Sequence, residues 1–440
     1  MFSGKDLSRL IIPLIIETTL SVTVGMSDII MVAHAGEAAV SGVSLVDSIN
    51  VLLINLLSAV ATGGAIVSSQ FLGKGKPERA CAAGTQLVSA VTLLSAVIMA
   101  AALLFCAPIL KLLFGELEAE VMTNAESYFF ICAVSYPFMG IYNACAALFR
   151  SMKEAKVSMW TGFIVNVLNI GFNWFFIYIV GLDAAGVALG TLISRVVGAL
   201  ITLYLIRKPK YLLHTENYWK AGLDFPMIKR IMAIGIPSGM ENSMFHIGKI
   251  LVAGLITSFG TASIAANAAS NTISAFGTLP GTAIGLGLVT IVGQCVGASD
   301  YAGARKHTGQ MMKLTYALFI LTNGAIFLFC RPLVEFYHLS REATDMAVEI
   351  LKISSICSIL IWPTAFVIPN ALRASNDVAF TMCSSIFSMW IFRIGFSYLL
   401  SLYFHLGLMG TWIAMFIDWA VRSVFFVYRY KKNGLVFHTR

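Results

Sequence analysis

Three asparagines share one face of an otherwise apolar segment. Asn166, Asn169 and Asn173 are spaced by three and four residues, which places them on the same side of a helix. Lipid contact does not explain amides at these positions, so they either join helices through hydrogen bonds or line a cation site. Thr191 adds a hydroxyl in a stretch of small residues that a neighbouring helix can approach closely. Such hard oxygen ligands suit Na⁺ or a bound proton network, and not a soft metal.

Asp28 is an acidic residue in the first apolar segment. An ionisable residue inside a membrane span is costly, and it predicts a functional role. Pro13 precedes Asp28 in the same segment. Proline removes a backbone hydrogen bond and permits a helix to bend. A bendable helix that carries one carboxylate can couple protonation to its shape. The alternative is that Asp28 is a carboxylate at a helix end and faces water.

Glu17 and Glu241 occupy equivalent positions in two similar stretches of sequence, IIPLIIETT and GIPSGMENS. After Glu241, the side chains of Asn242, His246 and Lys249 fall on one polar helix face. We expect one of two roles for this group. Glu241 and Lys249 form an internal ion pair, or the group takes part in proton coupling or lines the substrate cavity.

The remaining reactive side chains do not indicate a metal centre or an enzyme. Most of the eight cysteines fall in apolar segments without a CxxC spacing, which is typical of small buried hydrophobes. The segment GKGKPER lacks the pattern of a phosphate-binding loop. We therefore expect no catalytic residue, no cofactor, and no metal beyond Na⁺ at the cation site. Arg393 and Arg422 are expected to pair with Asp418 or to contact lipid headgroups.

The composition around these residues is that of a membrane protein. The chain has 440 residues, of which 58% are hydrophobic and 12% are charged. Soluble globular proteins carry about 25% charged residues. Most of this chain is therefore expected to face lipid. The first apolar run is long and no small-residue cleavage site follows a short core, so we interpret it as a retained helix and not as a targeting peptide.

Apolar segments of spanning length recur twelve times along the chain. We place them at 7–34, 43–69, 84–107, 123–148, 156–180, 185–207, 230–258, 266–296, 308–330, 344–371, 378–403 and 407–430. With a cytoplasmic N-terminus, most basic residues fall in the inner loops, and the outer loops hold only Lys111, Arg331 and Arg341. This bias predicts a multi-pass protein of the plasma or inner membrane with both termini in the cytoplasm. The same bias explains the net charge of +8, because the basic residues would face anionic lipid headgroups on the cytoplasmic side. The charge therefore does not indicate nucleic-acid binding.

The sequence contains an internal repeat at a shift of 224 residues. Pro13 and Glu17 fall on Pro237 and Glu241, and further glycines and prolines match at the same shift. Each half holds six predicted spans, so the repeat is parallel and the two bundles create a cavity at their interface. The predicted fold is all-α, with two six-helix bundles. The predicted domains are an N-lobe at 1–207, a linker at 208–228, a C-lobe at 229–430 and a cytoplasmic tail at 431–440.

These features resemble the multidrug and toxic compound extrusion (MATE) family, whose fold is also called the MOP type. The resemblance covers nearly the whole chain and rests on the order and spacing of several segments. They are PLIIETTLSVTVGMSDIIMVAHAG, VSSQFLGKGKPERA, ALFRSMKEAK, NVLNIGFNWFFIYIVGLDAAGVALGTLIS, GIPSGMENSMF and ALRASNDVAFTM.

The resemblance implies a cation site in the N-lobe. Asp28 matches the family's helix-1 aspartate, Asn169 and Asn173 match its helix-5 polar pair, and Thr191 matches its helix-6 threonine. Many bacterial members have aspartate where this chain has Asn173, so this site has one carboxylate fewer. Glu241 matches the family's helix-7 glutamate. The aspartate that accompanies it on helix 10 in one branch is Ile361 here, which puts a second cation site of that kind in doubt.

The leading hypothesis is a secondary active antiporter that exports amphipathic or cationic organic compounds in exchange for Na⁺ or H⁺. The alternative within the superfamily is a flippase for lipid-linked oligosaccharides or peptidoglycan precursors, which usually has about fourteen spans and a basic cavity. A channel is disfavoured because the sequence shows no filter-like segment or charge ring. We expect a monomer whose partners are small organic substrates and membrane lipids.

Overall fold

The computed structural model describes residues 3–32, 37–115, 118–214, 222–433 and 435. At 24, 26–30, 32, 37, 38 and 433 it describes the backbone alone. All regular structure within these ranges is helical. The α-helices are α1 Gly4–Val32, α2 Glu37–Gly73, α3 Pro77–Leu104, α4 Cys106–Phe114, α5 Ala119–Ser151, α6 Ala155–Trp174, α7 Ala184–Ile206, α8 Phe225–Thr257, α9 Thr261–Gly297, α10 Tyr301–Glu335, α11 Arg341–Leu360, α12 Ile368–Ala374, α13 Val378–Ser388, α14 Phe396–Tyr398 and α15 Gly407–Asn433. Four π-helical segments extend or join them, at Phe175–Ile179, Pro363–Val367, Met389–Gly395 and Leu399–Tyr403.

These elements form long helical runs close to the twelve predicted segments. Among the described residues, nine helices are long and apolar enough to cross a membrane. A tenth is added if α11 and the stretch Pro363–Ala374, which meet at a bend of 58°, count as one broken span. Helix α8, which carries polar and charged residues such as Glu241, His246 and Lys249 along an apolar sequence, is not among them. The all-helical membrane fold is therefore confirmed, while the count of twelve spans stays a prediction.

The helix boundaries repeat at the shift that the sequence predicts. The first residues of α2 and α9, Glu37 and Thr261, are 224 residues apart, and so are their last residues, Gly73 and Gly297. The starts of α3 and α10 differ by the same number. Equal helix lengths at a constant shift mean that the two halves share one architecture.

The chain divides into two compact units. One unit comprises Gly4–Gly239, and the other comprises Met240–Arg440 together with Met1–Ser3. The division falls inside α8, just after Pro237, and not in the predicted linker at 208–228, of which residues 215–221 lie outside the described ranges. The domain boundaries predicted from sequence remain a proposal.

Each unit has a small set of helix contacts that positions its polar residues. In the first unit, α5 packs between α2, α3 and α7, and α1 packs along α6. In the second unit, α9 packs on α10, α11 and α12, while α15 packs on the π-helical segments. An aromatic stack supports this second packing, because the rings of Trp362 and Phe366 lie 4.9 Å apart and Phe366 meets Trp419 edge-on at 5.9 Å.

Candidate functional site

A chain of buried amide and hydroxyl groups joins α6 to α7. The Asn169 amide nitrogen donates a hydrogen bond to the Thr191 hydroxyl at 3.2 Å. The Asn173 amide nitrogen in turn donates to the Asn169 amide oxygen at 3.4 Å. All three side chains are buried. Of the residues proposed for the cation site, these three are therefore brought together by the structure.

Gly190 permits this close approach of α6 and α7. A Cβ atom added at Gly190 would overlap the Asn173 side-chain oxygen and would lie 2.9 Å from the Asn173 backbone nitrogen. A residue without a side chain therefore allows Asn173 to sit against α7 beside Thr191. The sequence predicts that the small residues of α7 allow a close helix contact, and Gly190 provides one with α6.

The other residues proposed for this region have different positions. Asn166 lies on α6 but is only partly buried, and the described hydrogen bonds that link Asn169 to Thr191 do not include it. Asp28 falls within α1, but its side chain lies outside the described part of the structure. Pro13 is buried, and α1 continues through it as one helix. A bend of α1 at Pro13 therefore stays a prediction.

Glu17 forms a largely buried ion pair that ties α1 to α5 and α6. The Arg150 guanidinium lies 3.0 Å from one oxygen of the Glu17 carboxylate, and the Ser158 hydroxyl donates to the same oxygen at 2.8 Å. Arg150 belongs to the last turn of α5, and Ser158 to the first turns of α6. The sequence indicated Glu17 as a charged residue inside a span but did not indicate these partners.

Glu241 repeats this arrangement in the second unit. The Arg373 guanidinium lies 2.7 Å from one Glu241 oxygen, and the Ser385 hydroxyl donates to that oxygen at 2.7 Å. The predicted ion pair between Glu241 and Lys249 is wrong. Lys249 lies eight residues further along α8, about 12 Å at 1.5 Å per residue, and its ammonium lies over the ring of Phe245 at 5.7 Å.

In both glutamates the second carboxylate oxygen, Oε2, is buried and has no hydrogen-bond partner among the described residues. This oxygen is an unused hydrogen-bond acceptor beside the arginine. The sequence held a clue to this symmetry, since LFR at Leu148–Arg150 matches LR at Leu372–Arg373 after a slip of one residue.

A second polar network in the first unit surrounds Asp47, an acidic residue inside a predicted span whose partners the sequence did not indicate. The Tyr128 hydroxyl and the Asn50 amide nitrogen both donate to one Asp47 oxygen, at 3.1 and 3.2 Å. The Tyr136 hydroxyl donates to the Asn50 amide oxygen at 2.7 Å. On α7, one turn beyond Thr191, Arg195 donates to the Ser135 hydroxyl of α5 at 2.7 Å. The i, i+3 spacing of Asp47 and Asn50 was the available signal.

Arg393, in the π-helical segment Met389–Gly395, and Arg422, on α15, both face Asp418 of α15. The Arg422 guanidinium donates to one Asp418 oxygen at 2.9 Å, and the Ser388 hydroxyl donates to it at 2.6 Å. Arg393 approaches the other Asp418 oxygen at 4.0 Å. The expected pairing with Asp418 is therefore confirmed, as a hydrogen-bonded ion pair for Arg422 and as a longer contact without a hydrogen bond for Arg393. His246 and Lys249 lie on α8, whose Phe245 contacts both arginines.

Comparison with known proteins agrees with this architecture. The sequence model of the MatE family matches residues 13–175 and 237–399, and the two matches begin and end 224 residues apart. The chain is 24% identical to the "Uncharacterized transporter YisQ" of Bacillus subtilis, over 96% of this chain and 92% of that protein. It is 25% identical to the "Probable multidrug resistance protein NorM" of Thermotoga maritima, over 95% and 90%.

The fold also matches a solved structure described as the "Outward-facing conformation of a multidrug resistance MATE family transporter of the MOP superfamily". That match has a TM-score of 0.91 at 20% identity and covers 98% of this chain and 96% of the other. The protein has long apolar helices in two matched halves, with ionisable residues inside them. Together with these relatives, the features define an integral membrane protein of the transporter class. Because the family model matches well over half of its residues, the chain belongs to the MatE family.

Proposed function

We propose that this chain is a secondary active transporter that exports amphipathic or cationic organic compounds in exchange for Na⁺ or H⁺. The observation that carries the proposal is the buried link between Asn169, Asn173 and Thr191, in a chain that belongs to a transporter family. The relatives named as multidrug resistance proteins support the drug-like substrate class. They do not favour the flippase alternative.

The proposed coupling site comprises Asp28, Asn169, Asn173 and Thr191. The packing of α1 along α6 supports it, because it brings the helix of Asp28 beside that of the two asparagines. Amide, hydroxyl and carboxylate oxygens would replace part of the water around a small cation. With asparagine at 173, Asp28 is the one carboxylate of this set, so it would carry the charge of the bound ion.

The proposed exchange follows from differential binding. A bound cation shifts a conformational equilibrium only if it binds one conformation more tightly than the other. Cation binding at Asp28 would bend α1 at Pro13 and lower the affinity for the organic substrate on the outer side. The bend would release the compound before the cation leaves on the inner side.

Glu17 and Glu241 are proposed as further points of proton coupling. Each has a free buried oxygen beside its arginine. Protonation there would weaken the contact of α1 or α8 with the neighbouring helix. Asn166, His246 and Lys249 are proposed to line the substrate cavity. We further propose a monomer in the plasma or inner membrane, with both termini in the cytoplasm.

The test is efflux from proteoliposomes loaded with a fluorescent cationic dye, with Na⁺ and H⁺ gradients imposed separately. We expect one of the two gradients to drive efflux by the wild-type protein. Asp28→Asn should abolish this efflux, because a neutral amide cannot take up the coupling charge. Glu78→Gln, at an exposed position on α3, serves as the matched control and should transport normally. Undiminished gradient-driven efflux by Asp28→Asn would contradict the proposal.

A further inference from the structure

Three cationic side chains converge on one aromatic ring in the second unit. The guanidinium carbons of Arg393 and Arg422 lie 5.2 and 5.5 Å from the centroid of Phe245, and the Lys249 ammonium lies 5.7 Å from it. The three cations come from different elements, the π-helical segment Met389–Gly395, α15 and α8. Their meeting is therefore a product of the tertiary fold and not of local spacing.

The negative charge around this ring does not balance the positive charge. Asp418 is the one carboxylate that the described structure places within ion-pair distance of any of the three cations. Glu241 is the next carboxylate along α8, and its contacts are with Arg373 and Ser385. Three cations therefore face one anion inside helices that are expected to lie in lipid, where unpaired charge is costly.

Arg393 is the less well paired of the two arginines around this ring. Its side chain is nine-tenths buried, yet its Nε and Nη1 atoms have no hydrogen-bond acceptor among the described residues. The 4.0 Å separation from Asp418 is too long for a hydrogen bond. Arg422, by contrast, donates to Asp418 and to the Ser385 carbonyl oxygen. Arg422 is thus fixed within the protein, while the guanidinium of Arg393 keeps donors available.

Local structure fixes the position of these donors. Gly248, the residue before Lys249, faces the π-helical segment, and a Cβ atom there would lie 3.2 Å from the Met389 Cγ and 3.3 Å from the Ile394 Cδ1. The Ser397 hydroxyl donates a hydrogen bond to the Arg393 carbonyl oxygen one turn later. π-Helical segments inside membrane helices often mark functional sites. Lys249 is exposed, so the group has an accessible side next to its buried arginine.

We propose that Arg393 and Lys249 form a binding site for the oxyanion of an organic solute, either a carboxylate or a phosphate. The planar guanidinium would hold two oxygens of such a group, and the mobile ammonium would close over it from the accessible side. Phe245 would contact the apolar part of the solute. The site shares Lys249 with the proposed substrate cavity, but its ligand is an anion, a class of compound that the proposed function does not include.

Two sources can supply this chemistry. One is a soluble organic anion, and the other is the phosphate of an anionic lipid headgroup, which, unlike that of phosphatidylcholine, has no quaternary ammonium group to neutralise it. The two differ in whether the bilayer itself delivers the ligand, so the composition of the membrane around the purified protein separates them.

The test is equilibrium binding to the full-length protein in phosphatidylcholine nanodiscs, measured by calorimetry. Naphthalene-2-carboxylate is compared with naphthalene-2-carboxamide, which has the same ring and no charge. We expect the carboxylate to bind at least about tenfold more tightly, because charge-assisted hydrogen bonds are stronger than neutral ones. Lys249→Gln and Arg393→Gln should each lose this preference. Arg331→Gln, which alters an exposed arginine on α10, is the control and should keep it.

A second arm uses nanodiscs that contain phosphatidylglycerol. If a headgroup phosphate is the ligand, native mass spectrometry should find this lipid retained by the wild-type protein and lost from Lys249→Gln. The same lipid should weaken carboxylate binding. If a soluble anion is the ligand, the carboxylate preference should persist in both lipids.

Lack of a carboxylate preference in phosphatidylcholine together with no Lys249-dependent lipid retention would overturn the site. An undiminished preference in Lys249→Gln would also overturn it. Because Lys249 is exposed, this variant stays informative if Arg393→Gln does not fold, and Arg393→Lys supplies a second, charge-conserving variant. Neither arm measures transport, so the outcome is independent of the proposed antiport.

Discussion

At the scale of single residues, the hydrogen bond between Asn169 and Thr191 is the most informative contact in the first unit. Both side chains are buried, so each needs a polar partner within the protein. The helical spacing of the asparagines indicated that they share a face. It did not indicate that Thr191 accepts a hydrogen bond from Asn169, or that the hydrogen bonds of the described residues leave Asn166 out, because both depend on how α7 lies against α6.

Thr191→Val tests this contact. Valine has the shape of threonine but no hydroxyl, so the Asn169 amide would lose its acceptor in a buried position. We expect a loss of about 1–3 kcal/mol in the free energy of unfolding and a strong reduction of gradient-driven dye efflux. The measurements are denaturant titration in mixed micelles and the proteoliposome assay.

Thr202→Val is the matched control for that substitution. Thr202 is also buried on α7, but its hydroxyl donates to the Gly198 carbonyl oxygen of its own helix. Its removal should leave efflux near the wild-type level. Equal losses of efflux in the two variants would show that Thr191 has no specific part in coupling.

At the scale of helices, the two glutamate–arginine pairs have the same structural task. The pair of Glu17 and Arg150 joins α1 to the end of α5, and the pair of Glu241 and Arg373 joins α8 to α12. In both units a serine from the next helix completes the contact. Because α1 and α8 both carry an interior proline, the pairs hold a proline-containing helix against its neighbours.

Arg150→Gln and Arg373→Gln are expected to destabilise the protein to a similar extent. Each would leave a buried carboxylate without its cation, which costs about 3–5 kcal/mol when a buried pair is broken. Arg331→Gln removes an arginine from an exposed pair with Asp345 and should cost less than about 1 kcal/mol. Unfolding free energies in mixed micelles measure all three. A cost near that of Arg331→Gln for either buried pair would refute its structural role.

The contact between α6 and α7 depends on the absence of a side chain at Gly190. We expect Gly190→Ala to push Asn173 out of its position and to destabilise the protein by about 1–3 kcal/mol through overpacking. Gly309→Ala, on the exposed face of α10 with open space around it, should instead stabilise the protein by up to about 1 kcal/mol. The difference in unfolding temperature between the two variants is the measurement. A stabilised Gly190→Ala protein would contradict the close approach.

At the scale of the whole molecule, the two halves share a fold but not their chemistry. At the shift of 224, Glu17 corresponds to Glu241, and both glutamates keep an arginine and a serine as partners. By contrast, Asp28 corresponds to Val252, so the proposed cation site does not repeat. Asn169 corresponds to Arg393, which replaces a neutral amide with a guanidinium at the same place in the second half. The two halves therefore share the glutamate–arginine helix contacts but differ in the charges of other interior residues.

The class of the protein, its repeat and the shared face of the asparagines could all be predicted from the amino-acid sequence alone. These properties follow from composition and periodicity, which are local along the chain. Only the tertiary structure decided that Glu241 pairs with Arg373 and not with Lys249, since that choice depends on which helix ends meet. Tertiary structure also linked Asp47 to Tyr128 and gathered three cations around Phe245. Periodicity fixes the face on which a side chain lies, but the neighbour that this face meets is fixed only by helix packing.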